Sequence, residues 1–243
     1  MRVDAQPALI LHARVWRETS LLLECLTPEY GRVGLVARGV RREKSRMPRG
    51  LLQPLQALSL SWIGNGELFT LTHAEAAAAP LQIAGERLYS GMYLNELVLR
   101  LCARGDPQPE LFEHYFTCLQ RLAAGEPEGW SLRRFERDLM IDLGYGLVLD
   151  RNIDDGSPLR ADMEYSYLID SGPQPWRSQA GALRISGAAL LALHHDERPD
   201  MQHERELRLL MRALLRDQLN GGSLNAWDMR MRSSALSQES SGP

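Results

Sequence analysis

The sequence predicts an α+β protein, with a small N-terminal β-barrel followed by an α-helical domain that carries a short β-hairpin. Three observations predict it. Five short stretches in the first 75 residues alternate or run apolar between turn residues. After Ala76-Ala77-Ala78-Ala79-Pro80 the apolar residues recur at steps of three and four instead of two. A dense basic segment interrupts the strands of a chain whose net charge is −3.

The strands follow from local pattern. Residues 8–15 alternate weakly through Leu9, Leu11 and Val15, and residues 20–27 form an apolar run. Pro28-Glu29-Tyr30-Gly31 is a turn, with Gly31 free to take positive φ. Arg32 to Arg38 is the third strand. Leu58, Leu60 and Trp62 then alternate with Ser59 and Ser61, and Trp62 reads as core. Gly64-Asn65-Gly66 is a hairpin signal leading into Glu67 to Thr72. Five strands of this length suit an OB-fold, a barrel that commonly binds oligonucleotides, and an SH3-like barrel equally well.

The basic segment lies within Gly31 to Pro54. Between Arg32 and Arg49 it holds seven basic residues against one acidic residue, Glu43, and Lys44 is the only lysine in the chain. Residues 1–80 carry a balance of +3 and residues 81–243 one of −6. An apolar run, Val33 to Ala37, feeds this segment like a strand delivering a mobile loop. Such a loop suits phosphate backbones, because each cation releases counterions condensed on the nucleic acid. The plainer alternative is a solvated loop without a partner. For DNA the candidates are Arg38, Arg41, Arg42, Lys44, Arg46 and Arg49, with Arg14 and Arg17 flanking Trp16 as an extension of the groove. Trp16 is either a stacking platform for a base or a barrel residue.

Helical periodicity carries the rest. Leu88, Met92, Leu94, Leu97, Val98 and Leu101 make a first helix from Glu86, and Leu111, Phe112, Tyr115, Phe116, Leu119 and Leu122 a second. Ser131 is expected to cap a third that runs through Leu143. Residues 145–185 read differently: Met163, Tyr165, Tyr167 and Ile169 alternate, which predicts a hairpin packed through Tyr165, Tyr167 and Trp176. Ser186 is expected to cap a short helix ending at His194-His195, and a stronger helix runs from Glu204 to Leu219. The expected domains are 1–80 and 81–232, with a disordered tail at 233–243.

Composition excludes several classes. No apolar run approaches the ~18 residues needed to span a bilayer. Asp4 and Pro7 interrupt the N-terminal stretch, so a secretory leader is not expected and the chain reads as cytoplasmic. Cys25, Cys102 and Cys118 are far apart and read as buried, reduced thiols. His194, His195, Asp196, His203 and Glu204, or Asp154, Asp155 and Asp162, would be the ligands of a metal-dependent nuclease, but neither group has a recognised ligand spacing. No GxxxxGK[ST] loop occurs, so ATP use is not expected. A third alternative is an adaptor that contacts only protein.

Taken in order, several segments resemble the RecO family of DNA repair and recombination mediator proteins. They are His12-Ala13-Arg14-Val15-Trp16-Arg17-Glu18-Thr19-Ser20, Gly31-Arg32-Val33, Val36-Ala37-Arg38-Gly39-Val40-Arg41, Ser45 and Leu52-Gln53-Pro54. Leu88-Tyr89-Ser90-Gly91, Tyr93, Asn95-Glu96-Leu97, Leu132-Arg133-Arg134-Phe135-Glu136 and Leu143-Gly144-Tyr145-Gly146 follow, and the final 60 residues match loosely. The resemblance implies an N-terminal OB-fold and a helical C-terminal domain. It implies a non-enzymatic, nucleoid-associated role in the RecF pathway: binding single- and double-stranded DNA, annealing complementary strands, and acting with RecR to help load RecA onto strands coated by single-stranded-DNA-binding protein. The acidic, apolar tail of that coating protein docks on the helical domain in this family. Arg133 and Arg134 are the candidates for its carboxylate, with Leu132, Phe135 and Phe116 as groove or core. The alternative for the arginines is an ordinary ion pair, with Glu136 or Glu110. Many relatives carry a four-cysteine zinc site after the Leu-Gly-Tyr segment. This chain has no cysteine there, so the insert is expected to be zinc-free and no cofactor is expected.

Overall fold

A computed structural model describes residues 1–43, 45, 47–177 and 183–226. They form two compact units, 1–125 with 224–226, and 126–223. The expected tail at 233–243 lies outside the described residues.

The first unit is built on strands β1 (Arg2–Trp16), β2 (Ser20–Thr27), β3 (Gly31–Ala37), β4 (Ala57–Ile63) and β5 (Leu68–Ala76). They close a barrel in the order β1-β2-β3-β5-β4. All pairs are antiparallel except β3 with β5, which join Gly34 to Leu68 and Val36 to Thr70 in parallel. This order and the single parallel pair make the barrel OB-like and separate it from the SH3-like alternative.

β1 is longer than its alternation suggests. Its second half pairs with β2, from Leu9↔Leu26 to Trp16↔Ser20. Its first half pairs with β4, from Arg2↔Ile63 to Leu9↔Ala57. The register shifts between Val3 and Gln6, where Ala5 takes φ +52 and donates its N–H to Ser61 Oγ at 2.9 Å. A bulge of this kind bends a strand so that it can serve two neighbours. It also breaks the alternation by which a strand is read.

The barrel interior is apolar, filled by Ile10, Leu23, Leu35, Leu58, Leu60 and Trp62 among others. Trp62 is fully buried, edge-on to Tyr30 at 5.4 Å between ring centroids. β2 is apolar on both faces because both are covered: α1 (Arg87–Leu101) packs on β1 and α2 (Pro109–Ala124) on β2. Asn95 is the polar strut of this packing. Its Nδ2 donates to Leu11 O at 2.7 Å and its Oδ1 accepts from Tyr115 OH, all buried. Gly31 sits where no side chain fits: φ is +60, and a Cβ would lie 2.0 Å from Asp106 O.

The second unit contains α3 (Glu128–Asp142), a small sheet of β6 (Glu164–Leu168), β7 (Gly172–Pro175) and β8 (Leu183–Ser186), then α4 (Gly187–His194) and α5 (Met201–Gln218). Ser131 does not cap α3. The helix starts one turn earlier, and Ser131 Oγ donates back to Pro127 O. Ser186 does cap α4, accepting from Ala189 N–H at 3.2 Å. The expected hairpin is a three-stranded sheet in the order β7-β6-β8. β8 is four residues long, too short to announce itself by alternation, and Tyr165 and Tyr167 pack the sheet from β6. Burial pushes the Tyr167 phenol up to about 12.

Replacing Asn95 by Leu removes a buried donor from Leu11 O and an acceptor from Tyr115. A loss of about 2–3 kcal/mol is expected in urea unfolding, with the denaturant slope unchanged.

Candidate nucleic-acid interface

β3 ends at Ala37, and Gly39 turns the chain at φ +70. The connection to β4 is held by its apolar residues. Val40 and Leu52 are buried in the barrel core, and Met47 and Leu51 pack against it. The described cations of this stretch are left outside: Arg38, Arg41, Arg42 and Arg49 are all exposed. The expectation of a free loop is thus revised to a segment nailed at both ends. Lys44 and Arg46 lie outside the described residues.

The β1–β2 turn meets this segment. Arg17 holds φ +55, and Arg41 ties the two together. Its backbone N–H donates to Thr19 O at 3.0 Å, and its Nη1 donates to Glu18 O at 2.8 Å. The parallel β3–β5 pair brings the start of β5 to the same rim. The result is an open depression of about 830 Å³ lined by Trp16, Arg17, Arg38, Arg42 and Phe69, with Glu18 as its carboxylate. Trp16 is half-buried, and the Arg14 guanidinium stands 5.8 Å from its ring centroid. Three cations and the Trp16 face around one hollow can hold phosphates and stack a base, while Phe69 packs inward against the core and Trp62. Arg14 and Arg49 are exposed but do not line it. Phe69 is a rim residue that sequence reasoning misses. Only the pairing of β5 with the distant β3 places it there.

The expected tail site is assembled differently. Leu132 and Phe135 are buried in the second unit and fill its core rather than an open groove. Arg133 is 6% exposed and pairs one turn along α3 with Glu136, which is fully buried. Arg134 is half-buried and pairs with Asp196. Arg137, beside it, donates to Leu193 O at 2.7 Å and to Asp196 at 3.2 Å. Asp196 takes φ +60 just past α4, so α3 clamps that helix end. Phe116 lies in the first unit, half-buried on α2.

Between Asp150 and Arg177 the donors do not fit a zinc ion. Asp155 Oδ1 accepts from Asn152 Nδ2 and from Ser157 N–H, both at 2.9 Å. Ser157 above all holds the Asp155 carboxyl below its usual range. Asp154 Oδ2 accepts from Arg177 Nη2 at 3.2 Å. Engaged carboxylates and an amide without a thiolate are a poor tetrahedral set. Among the described residues no three His, Cys, Asp or Glu side chains gather as a metal site. No described helix is long and apolar enough to cross a membrane.

A closed barrel of this strand order, followed by helices, defines an OB-fold protein with an α-helical C-terminal region. Residues 1–80 match the family model "Recombination protein O N terminal", and residues 84–227 match "Recombination protein O C terminal". The DNA repair protein RecO of Stenotrophomonas maltophilia K279a is 43% identical over 232 residues, covering 94% of this chain and 97% of the relative. That of Methylococcus capsulatus is 42% identical over 233 residues, covering 96% and 95%. The chain belongs to the RecO family of DNA repair proteins.

Arg41→Ala should reduce single-strand affinity less than Arg38→Ala or Arg42→Ala at equal salt, because part of the Arg41 guanidinium is already bonded to Glu18 O. Anisotropy of a labelled oligonucleotide ranks the three. Glu136→Gln should cost about 3–5 kcal/mol in denaturant unfolding by stranding a buried arginine, whereas Arg134→Ala, at a more exposed pair, should cost about 1 kcal/mol or less.

Proposed function

We propose that this chain is a non-enzymatic DNA-binding mediator of the RecF pathway. It holds single- and double-stranded DNA on the rim of the barrel, anneals complementary strands, and acts with RecR to help load RecA onto strands coated by single-stranded-DNA-binding protein. The observation that carries the reading is the depression in which Arg17, Arg38 and Arg42 surround Trp16 and Phe69. Guanidinium groups screen the repulsion between two phosphate backbones, and the Trp16 face receives an unpaired base. Such a role needs no nucleophile and no acid–base pair. The acidic tail of the coating protein is assigned to the second unit, where Arg134 is the more accessible of the two expected arginines and Asp196 is the carboxylate a tail would displace. The site of action is the cytoplasm, at the nucleoid.

The test is fluorescence anisotropy of a labelled single strand across a salt series, for the parent chain and for Arg17, Arg38 and Arg42 changed together to Glu. The parent should show a logarithmic salt dependence that flattens by about 2 in the variant, at roughly 0.7 for each phosphate no longer neutralised, with affinity down at least ~10-fold. Identical binding by the two folded proteins would move DNA off this rim. No binding by either at low salt would favour an adaptor that contacts only protein.

A further inference from the structure

The outward face of α5 carries a row of arginines. Arg205, Arg208, Arg212 and Arg216 recur at steps of three and four, and all are exposed. On a wheel of 3.6 residues per turn they fall within about 80° of one another, one guanidinium per turn over roughly 16 Å of helix. Leu209, 61% exposed, borders them on the same face. The inner face is unambiguous, because Leu207, Leu210, Met211, Leu214 and Leu215 are buried. Asp217, exposed beside Arg216, accepts from Gln218 Nε2 at 3.4 Å, and the other carboxylates at this helix are engaged elsewhere. Asp200 caps its first turn at His203 N–H, and Glu206 accepts from Ser186 N–H and Oγ at 2.9 and 2.7 Å. Glu204 lies over Gly129 on α3, where a Cβ would meet it. Arg205, Arg208 and Arg216 make no ion pair with a described residue.

Like charges at these spacings on one helical face, Arg205, Arg208 and Arg216, repel one another and lower helix stability. A chain with net charge −3 that keeps them together has a polyanion as the simplest complement. A planar guanidinium grips a phosphate with two hydrogen bonds, so an exposed row of them suits a phosphate backbone. We infer that this stripe is a second phosphate-binding surface, taking the backbone of a nucleic-acid strand in the second unit independently of the barrel rim. The inference deepens the proposed function and rests on its reading that the chain binds DNA. A second surface would let the chain hold one strand there while the other lies at the rim.

The experiment compares four full-length proteins: the parent, the rim variant (Arg17, Arg38 and Arg42 to Glu), a stripe variant (Arg205, Arg208 and Arg216 to Glu), and the same stripe changed to Lys. Single-strand anisotropy over a salt series and the annealing rate of two complementary oligonucleotides are read for each. The stripe-to-Glu variant should anneal at least ~10-fold more slowly and flatten the salt dependence by up to about 2, and the Lys variant should retain most of both. Circular dichroism checks folding, and a Gln triple replaces the Glu triple if the latter melts early. If the stripe variants match the parent while the rim variant loses DNA, the proposed function stands and the stripe inference is wrong. If neither variant changes DNA binding, the rim reading and the stripe inference both fail. If stripe-to-Glu leaves DNA unaffected but abolishes binding of a fluorescein-labelled acidic peptide, the surface serves a protein partner and the inference is overturned.

Discussion

Everything at the rim depends on β1 pairing with two strands at once. Its far half is bonded to β2 and its near half to β4, and the bulge at Ala5 gives it the bend that closure needs. Closure through the parallel β3–β5 pair then sets three otherwise distant segments side by side: the β1–β2 turn, the exit from β3 and the start of β5. Without closure Phe69 would be a strand residue with no relation to Arg38. The cations are held by the same logic, since Val40 and Leu52 enter the core and leave Arg41, Arg42 and Arg49 facing solvent.

Arginine plays two opposite roles in this chain. At the rim and along α5 the guanidinium groups face water, where a phosphate can reach them. On α3, Arg133 is desolvated against Glu136, and Arg134 and Arg137 clamp the left-handed Asp196. A buried pair of this kind contributes little net stability but is costly to break from one side. Residue type is alike in the two cases; burial and a partner carboxylate separate them.

That difference marks what is legible in the sequence. The five strands, the five helices and the Ser186 cap follow from period, turn residues and capping chemistry, all of which are local. The basic segment is legible because its charge departs from the rest of the chain. The N-terminal half of β1 is not, since Pro7 and the bulge at Ala5 erase its alternation. Ser131 has the chemistry of a cap but not the position, because α3 begins at Glu128, where Pro127 offers no side-chain acceptor. The Arg133–Glu136 pair is legible as one of the expected ion pairs, but its burial is not, and the place of Phe69 depends on strand pairing that no window of sequence displays.

The cysteines have a practical consequence. Cys25, Cys102 and Cys118 are all buried, all belong to the first unit, and are the only thiols in the chain. Burial pushes the Cys25 thiol well above its ordinary range, so the reactive thiolate is suppressed while the barrel stays folded. An alkylating reagent therefore reports on opening of the barrel and its two helices, while the second unit remains silent to it. Nature has left one half of this molecule with its own chemical clock and the other half without one.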